Sequence, residues 1–426
     1  MGKEQAILVG VTLPCRSPQG VTDTLDELAL LACTAGAEVL DRVVQMKKAV
    51  DPAFFIGRGK AEEIGTKAER VGANLTIFDD DLSPAQMRNL EQVVGTKIVD
   101  RSGLILDIFA KRAKTREAKV QVELAQLEYL LPRLTRQWTH LSRQAGGGGT
   151  VMGGIGTRGP GETQLEVDRR KTRKRIADLT KALSEIGRRR SLERKGRKEM
   201  FRCALVGYTN AGKSTLMNLL AGTSVFVEDR LFATLDPTTR LVSLGKGSTM
   251  LLTDTVGFIR KLPHHLVASF RTTLEEAVEA DLLLHVADAS HPGCREQILT
   301  ANDVLAGLGI AGKPTVMVFN KIDRVENRSE MTDLLIDYPE AITVSATTGE
   351  GIDDLTQRML QHLQKNRVVS IFSVPSNDGK TLSRLYECGE VLERWTVGDT
   401  IVLKVLSNVW KEGADVQVHS EGGEVF

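Results

Sequence analysis

The sequence predicts an α/β protein in four parts. These are an N-terminal α/β domain (residues 1–110), a basic antiparallel helical hairpin (111–200), a domain on a mainly parallel sheet (201–367) and a small α+β domain (368–426). Three observations predict it. Short apolar runs alternate with helix-like stretches, leucines recur at heptad spacing beside a glycine-rich connector, and an apolar strand leads through a glycine loop into a helix near residue 210.

Composition sets the bounds. With 426 residues, 41% of them hydrophobic, the chain is long enough for two to four domains of roughly 100–200 residues. Its 56 Lys+Arg and 55 Asp+Glu leave a formal charge of +1, so overall charge predicts no polyanionic partner. Aromatic residues are only 4%, which argues against base stacking as the main binding device. No run approaches the ~18 apolar residues of a membrane span, and the start MGKEQAILVG lacks the basic and long apolar regions of a signal peptide. A cytoplasmic protein is expected, with nothing in the sequence indicating peripheral membrane association. Cys15, Cys33, Cys203, Cys294 and Cys388 form no CxxC pair and are expected to be reduced, packed thiols.

In the first domain, AILVGV, NLTIFD and KIVD read as strands, and DTLDELALLACTAG and SPAQMRNLEQVV as helices. The turn Gly57-Arg58-Gly59-Lys60 is a weak phosphate signal. Next, Leu124, Leu127, Leu131, Leu134, Trp138 and Leu141 step by three and four, as do Ile176, Leu179, Leu183 and Ile186. Between them the glycine-rich stretch 145–164 reads as a mobile tip loop joining two facing helices. Pro132 conflicts with the first helix, since it removes an amide and is expected to kink the helix near Leu131. From Arg169 to Arg202 there are 15 Lys/Arg against 4 Asp/Glu, an excess of 11 positive charges hidden by the neutral total. Such a run is usually a solvated face, but this density raises a nucleic-acid reading to an equal footing. Beyond residue 368, SVPSNDGKTLSRLYECGEVL reads as strand, turn and helix, and TIVLKV as a further strand.

The chemistry lies in four motifs. CALVGYTNAGKSTLMNLL sets Gly207-Tyr208-Thr209-Asn210-Ala211-Gly212-Lys213-Ser214, with Thr215 following, between an apolar strand and a helix. Glycines let successive amides curl around a phosphate, Lys213 neutralises β/γ oxygens and the Ser214 hydroxyl meets Mg²⁺. Asp254-Thr255-Val256-Gly257 ends a strand, with Asp254 expected to reach Mg²⁺ through water and the Gly257 amide to bond a γ-phosphate. Asn320-Lys321-Ile322-Asp323 follows another strand, and the Asp323 carboxylate matches guanine N1 and N2, selecting GTP over ATP. Ser345-Ala346-Thr347 is placed to present the Ala346 amide to the guanine carbonyl. Each motif alone is weak; in this order they predict a P-loop G domain binding GTP and GDP with Mg²⁺.

These motifs resemble those of translation-factor-type GTPases. LFATLDPTTR before DTVGFIR, with GGIGTRGPGETQLEVDRR, resembles the HflX family in particular, over nearly the whole chain and least after about Val368. The resemblance implies that Thr234, within Phe232-Ala233-Thr234-Leu235-Asp236, is the switch I threonine that meets Mg²⁺ when the γ-phosphate is present. The expected reaction is water attack on the γ-phosphate, with Lys213, Thr234 and Gly257 as catalytic groups. The resemblance also implies a partner, the 50S ribosomal subunit with its 23S rRNA. A chain monomeric when free would engage it through the basic hairpin, splitting or rescuing stalled ribosomes.

Where many such GTPases carry a glutamine after DxxG, this chain has Phe258, which offers water no hydrogen bond, so slow intrinsic turnover is expected. Asn210 stands where K⁺ could be held against the phosphates; equal rates in K⁺ and Na⁺ at matched ionic strength would exclude that. His264 and His265 are alternative bases, though solvent-facing side chains are the plainer reading. Competing readings are an RNA-remodelling NTPase that uses ATP through its N-terminal part, a GTP-dependent ribosome assembly factor, and a signalling switch with a coiled-coil adaptor.

Overall fold

In the computed structural model of the chain, the described residues are 3–14, 18–137, 160–195, 200–223, 231–232, 234–245, 248–261, 271–310, 312–325, 328–365, 367–408 and 417–420. The N-terminal region is an open parallel sheet of β1 (Gln5–Thr12), β2 (Glu38–Met46), β3 (Leu75–Phe78) and β4 (Lys97–Asp100), in the order β2-β1-β3-β4. The run AILVGV forms β1 because both its faces are covered. Ala6 and Leu8 pack with Leu28 and Ile105, whereas Ile7, Val9 and Val11 pack with Ile64 and Leu90. Helices α1 (Pro18–Ala35), α2 (Arg58–Val71), α3 (Pro84–Val94) and α4 (Arg101–Arg112) supply those covers. The α3 start is fixed by a capping box between Ser83 and Gln86, with proline in the first turn.

Strand β2 and helix α2 lie outside the elements read from the sequence. Strand β2 is an edge strand in which Glu38, Asp41 and Arg42 interrupt the apolar residues, so it lacks an apolar run. The Gly57-Arg58-Gly59-Lys60 turn is the start of α2, where Arg58 pairs with Glu62 and Lys60 with Glu63.

Two long helices follow, α5 (Arg116–Gln137) and α6 (Pro160–Lys195), and they pack on each other. Helix α5 runs through Pro132 without ending, and Arg133 there donates to the Tyr129 carbonyl at 2.7 Å. Buried Asp100 pins α5 to the sheet, accepting from Tyr129 at 2.6 Å and from Arg133 at 2.9 Å. Helix α6 takes in residues 160–164, so the expected loop 145–164 is shorter at that end; Pro160 at the first helical position is pre-set for it. Residues 145–159, with Trp138 and Leu141, lie outside the described residues. Along α6, Leu179 is buried and Ile176, Leu183 and Ile186 are half-buried, while Arg170, Lys171, Arg173 and Lys174 are exposed.

The third region is a six-stranded sheet in the order β10-β9-β8-β5-β7-β6. Its strands are β5 (Arg202–Val206), β6 (Thr238–Ser243), β7 (Thr249–Asp254), β8 (Leu282–Asp288), β9 (Thr315–Asn320) and β10 (Ile342–Thr343), parallel except for β6 against β7. Helices α7 (Lys213–Leu220), α8 (Arg271–Glu279), α9 (Cys294–Gly307), α10 (Arg328–Asp337) and α11 (Ile352–Lys365) accompany it. One apolar cluster runs across the two regions, joining Leu28 and Phe109 to Tyr208, Phe232, Leu235 and Phe258. The C-terminal region pairs β11 (Arg367–Pro375), β12 (Gly389–Val397), β13 (Thr400–Asn408) and β14 (Gln417–Ser420) in an antiparallel sheet with α12 (Gly379–Cys388). Cys203 and Cys294 are buried thiols as expected, but Cys33 is exposed, on the outer face of α1.

Candidate nucleotide-binding site

The site is built at the carboxyl ends of the parallel strands, where an open α/β sheet leaves a crevice. After β5 the chain turns at Gly207 (φ 139°), where a side-chain carbon would lie 2.1 Å from the Val286 carbonyl oxygen, so only glycine fits. Gly212 (φ 88°) is equally constrained, 2.2 Å from the Asn320 amide nitrogen by the same measure. Lys213 then opens α7, 6% exposed, and donates to the carbonyls of Gly207 at 3.1 Å and Tyr208 at 2.7 Å. Burial pushes its ammonium down to about 8, although Asp254 pulls the other way.

Three oxygen donors converge beside it. The Ser214 hydroxyl donates to Asp254 Oδ2 at 2.5 Å and lies 2.7 Å from the Thr234 hydroxyl, which donates to the same Oδ2 at 2.9 Å. Asp254 is 1% exposed, burial raises its pKa, and its buried Oδ1 has no hydrogen-bond partner among the described residues. Two hydroxyls and a carboxylate with an unsatisfied oxygen form a hard-oxygen set, which fits Mg²⁺.

Gly257 lies against this group. A side-chain carbon there would sit 2.7 Å from Thr209 Cα and 2.9 Å from Lys213 Nζ. The next residue, Phe258, is 1% exposed and stitched to the phosphate loop, its N–H donating to Gly207 O at 3.0 Å and its carbonyl accepting from Thr209 at 2.7 Å. It cannot orient a water.

At the other end of the crevice, Asn320 ties two loops together. Its amide donates to the Ala211 carbonyl at 2.8 Å and its oxygen accepts from the Ala346 N–H at 3.0 Å. The Asp323 carboxylate is held by the Ser345 hydroxyl at 2.6 Å. Lys321, in the left-handed region (φ 65°), pairs with Asp288 at 2.7 Å.

Three family models tile most of the chain: GTP-binding GTPase N-terminal over residues 22–110, GTP-binding GTPase Middle Region over 112–197, and 50S ribosome-binding GTPase over 202–321. The chain is 47% identical over 393 residues to GTPase HflX of Caldanaerobacter subterraneus subsp. tengcongensis, covering 92% of this chain and 88% of that one. The chain belongs to the HflX GTPase family. GTPase HflX of Escherichia coli (strain K12) is 43% identical over 399 residues, covering 93% and 91% of the two chains. Among solved structures, a GTP-binding protein from Sulfolobus solfataricus in complex with GDP matches 85% of this chain and 99% of its own, at 24% identity and TM-score 0.44.

This HflX GTPase gathers Gly207, Gly212, Lys213, Ser214, Thr234, Asp254 and Gly257 into one cradle, with Asn210 exposed at its lip (φ 61°) and Thr215 half-buried in α7. Several residues expected to contact nucleotide direct their side chains elsewhere. Thr255 is fully buried and its hydroxyl donates to the Leu205 carbonyl at 2.6 Å; Val256, Leu235 and Phe232 belong to the apolar cluster, Phe232 edge-on to Phe109 at 4.7 Å. Asp236 caps the start of α5, accepting from the Thr115 hydroxyl and from the amides of Lys114 and Thr115, each at 3.2 Å. The Tyr208 hydroxyl leaves the cradle for the N-terminal region. The expected free Ala346 amide is taken by Asn320. Ile322 is half-buried and Thr347 exposed, while Ala233, His264 and His265 lie outside the described residues. Asp288 and buried His285, which burial and then Lys213 push down to about 4, were not read from the sequence. An aspartate ending a strand just before a turn was the available signal for Asp288.

Proposed function

We propose that this HflX-family GTPase docks on the large (50S) ribosomal subunit under control of its bound nucleotide, and acts there to split or rescue stalled ribosomes. The observation that carries the nucleotide part is the meeting of Ser214, Thr234 and Asp254, within 2.5–2.9 Å of one another, beside buried Lys213. Ser214 and Thr234 would hold Mg²⁺, with Asp254 behind them through water; the ion supplies charge neutralisation for the phosphates. Lys213 would neutralise the β- and γ-phosphate oxygens, the Gly257 amide would bond the γ-phosphate, and Asp323, steadied by Ser345, would select guanine. Water would attack the γ-phosphate in line. With Phe258 buried, nothing at that position orients the water, so the free protein turns over slowly and the ribosome supplies the acceleration.

The docking part is supported by α6, whose exposed arginines and lysines suit the phosphates of 23S rRNA, giving salt-sensitive affinity without base readout. The described residues contain no helix long and apolar enough to cross a membrane. The test is co-sedimentation with 50S particles in the presence of a GTP analogue, GDP or no nucleotide. Retention with the analogue and loss with GDP is expected; equal retention in all three would refute nucleotide-gated docking.

A further inference from the structure

We propose that Glu27, on the N-terminal region, is a positioning residue of the GTPase centre: acting through Tyr208, it holds residues 257–260 against the phosphate loop and so sets how readily a third phosphate is admitted.

The Tyr208 hydroxyl uses both its hydrogen-bonding functions. It donates to one oxygen of Glu27 at 2.6 Å and accepts from the Arg260 N–H at 2.8 Å. The other Glu27 oxygen takes the guanidinium of Arg101, which is 1% exposed and pairs also with Asp79 at 2.6 Å. Burial opposes the charge on Arg101, but Glu27 and Asp79 outweigh it, so its pKa is raised. The circuit closes on the residue after Arg260. The Lys261 ammonium reaches the Asp79 carboxylate, the Asp79 carbonyl at 3.1 Å and Asp80 at 2.6 Å. Lys261 has φ 53°, a region uncommon for a residue other than glycine. The segment that carries Gly257 and Phe258 is thus held at residues 260 and 261 by side chains that answer to the N-terminal region.

This hold bears on the phosphates. Gly257 approaches Lys213 so closely that a single added carbon would lie 2.9 Å from Nζ. A γ-phosphate bonded by both Lys213 and the Gly257 amide needs room between them; the ammonium at the end of the flexible Lys213 side chain yields part of it, and in this inference residues 257–260 yield the rest by moving outward. That movement stretches the Arg260 to Tyr208 bond and the two Phe258 bonds. A diphosphate ends before this point and leaves the hold intact. The contacts therefore discriminate between nucleotides that differ by one phosphate, which a bond serving only to join two regions does not do.

The inference rests on reading the cradle as the GTP site. The test uses the full chain, with fluorescent GDP and a non-hydrolysable GTP analogue titrated in Mg²⁺. Tyr208→Phe keeps the ring in the core and removes both hydroxyl bonds; Glu27→Ala removes the acceptor; Glu27→Gln keeps an acceptor for Tyr208 but loses the pairing with Arg101. Losing one net hydrogen bond from the held state is expected to shift the affinity ratio about fivefold toward the triphosphate in Tyr208→Phe and Glu27→Ala. Glu27→Gln is expected between these and the unmodified chain. Lys67→Ala, which breaks the remote pair with Asp41 in the same region, should leave the ratio unchanged. A ratio within twofold of the unmodified chain in Tyr208→Phe and Glu27→Ala, or equal weakening of both nucleotides, overturns the inference. Should Tyr208→Phe fail to fold, the Glu27 pair of variants decides it alone. Failure of the unmodified chain to bind either nucleotide would instead overturn the reading of the cradle.

Discussion

Two open sheets stand in this chain, one parallel throughout and one parallel except for its edge strand β6, and their crevices have opposite fates. In the G region β5 ends in a loop that turns at Gly207 and Gly212 and sets Lys213 at the base of a helix. In the N-terminal region the matching point lies between the carboxyl ends of β1 and β3, and there the chain runs into Asp79, Asp80 and Asp81. Arg101 and Ser102 of the same region bind two of them, and Lys261 of the G region bonds Asp79 and Asp80. The topology offers a crevice in each case; the loop chemistry decides whether a ligand or a protein side chain takes it.

The largest expected contrast follows from that difference. Lys213→Ala should lower single-turnover GTP hydrolysis by about 10²–10³-fold, the cost of removing one charge-stabilising donor from a water-poor site. Removing Lys261, the cation in the other crevice, should change the chemical step far less, because it touches carboxylates of the N-terminal region rather than the cradle. Comparable losses in the two variants would mean that the N-terminal crevice takes part in the reaction.

A smaller effect sharpens the comparison through pH. Burial brings Lys213 to about 8 without nucleotide, and phosphate oxygens raise it again on binding. Binding therefore takes up a proton above pH 8, so affinity falls as pH rises, by about tenfold at pH 9 relative to neutrality. Lys213→Met should flatten this profile between pH 7 and 9. A profile in the unmodified chain that stays flat to pH 9 would show that the ammonium is not desolvated as its position implies.

The two regions were not equally legible. The cradle could be read because its chemistry is local: glycines, lysine and serine stand within eight residues, and burial of β5 and β7 explains the apolar runs that frame them. Thr255 and Val256 look the same in sequence as Asp254, yet the chain turns them into the core, and only packing decides that. The hold on residues 257–260 could not be read, because Glu27 and Tyr208 are 181 residues apart and each is ordinary in its own segment. Strand β2 escaped because Asp41 and Arg42 break its apolar residues into two short pieces, and Thr234 is placed by family likeness, since the residues about it carry no chemical signature of their own.

The smallest expected effect concerns Arg58 and Lys60, the one N-terminal segment with a phosphate-like pattern. Helix α2 begins at Gly57 with no side-chain cap, and its basic side chains lie along the helix against Glu62 at 3.1 Å and Glu63 at 2.7 Å. Such exposed pairs contribute only a few tenths of a kcal/mol each. Replacing both basic residues by alanine should therefore move the melting temperature by about 1–2 °C at most and leave GTP and ATP binding unchanged within twofold. The ATP arm matters most. A loss of ATP binding in the double variant, with GTP binding intact, would establish a second nucleotide site on the region whose central crevice is closed by Lys261, and would reverse the contrast between the two sheets.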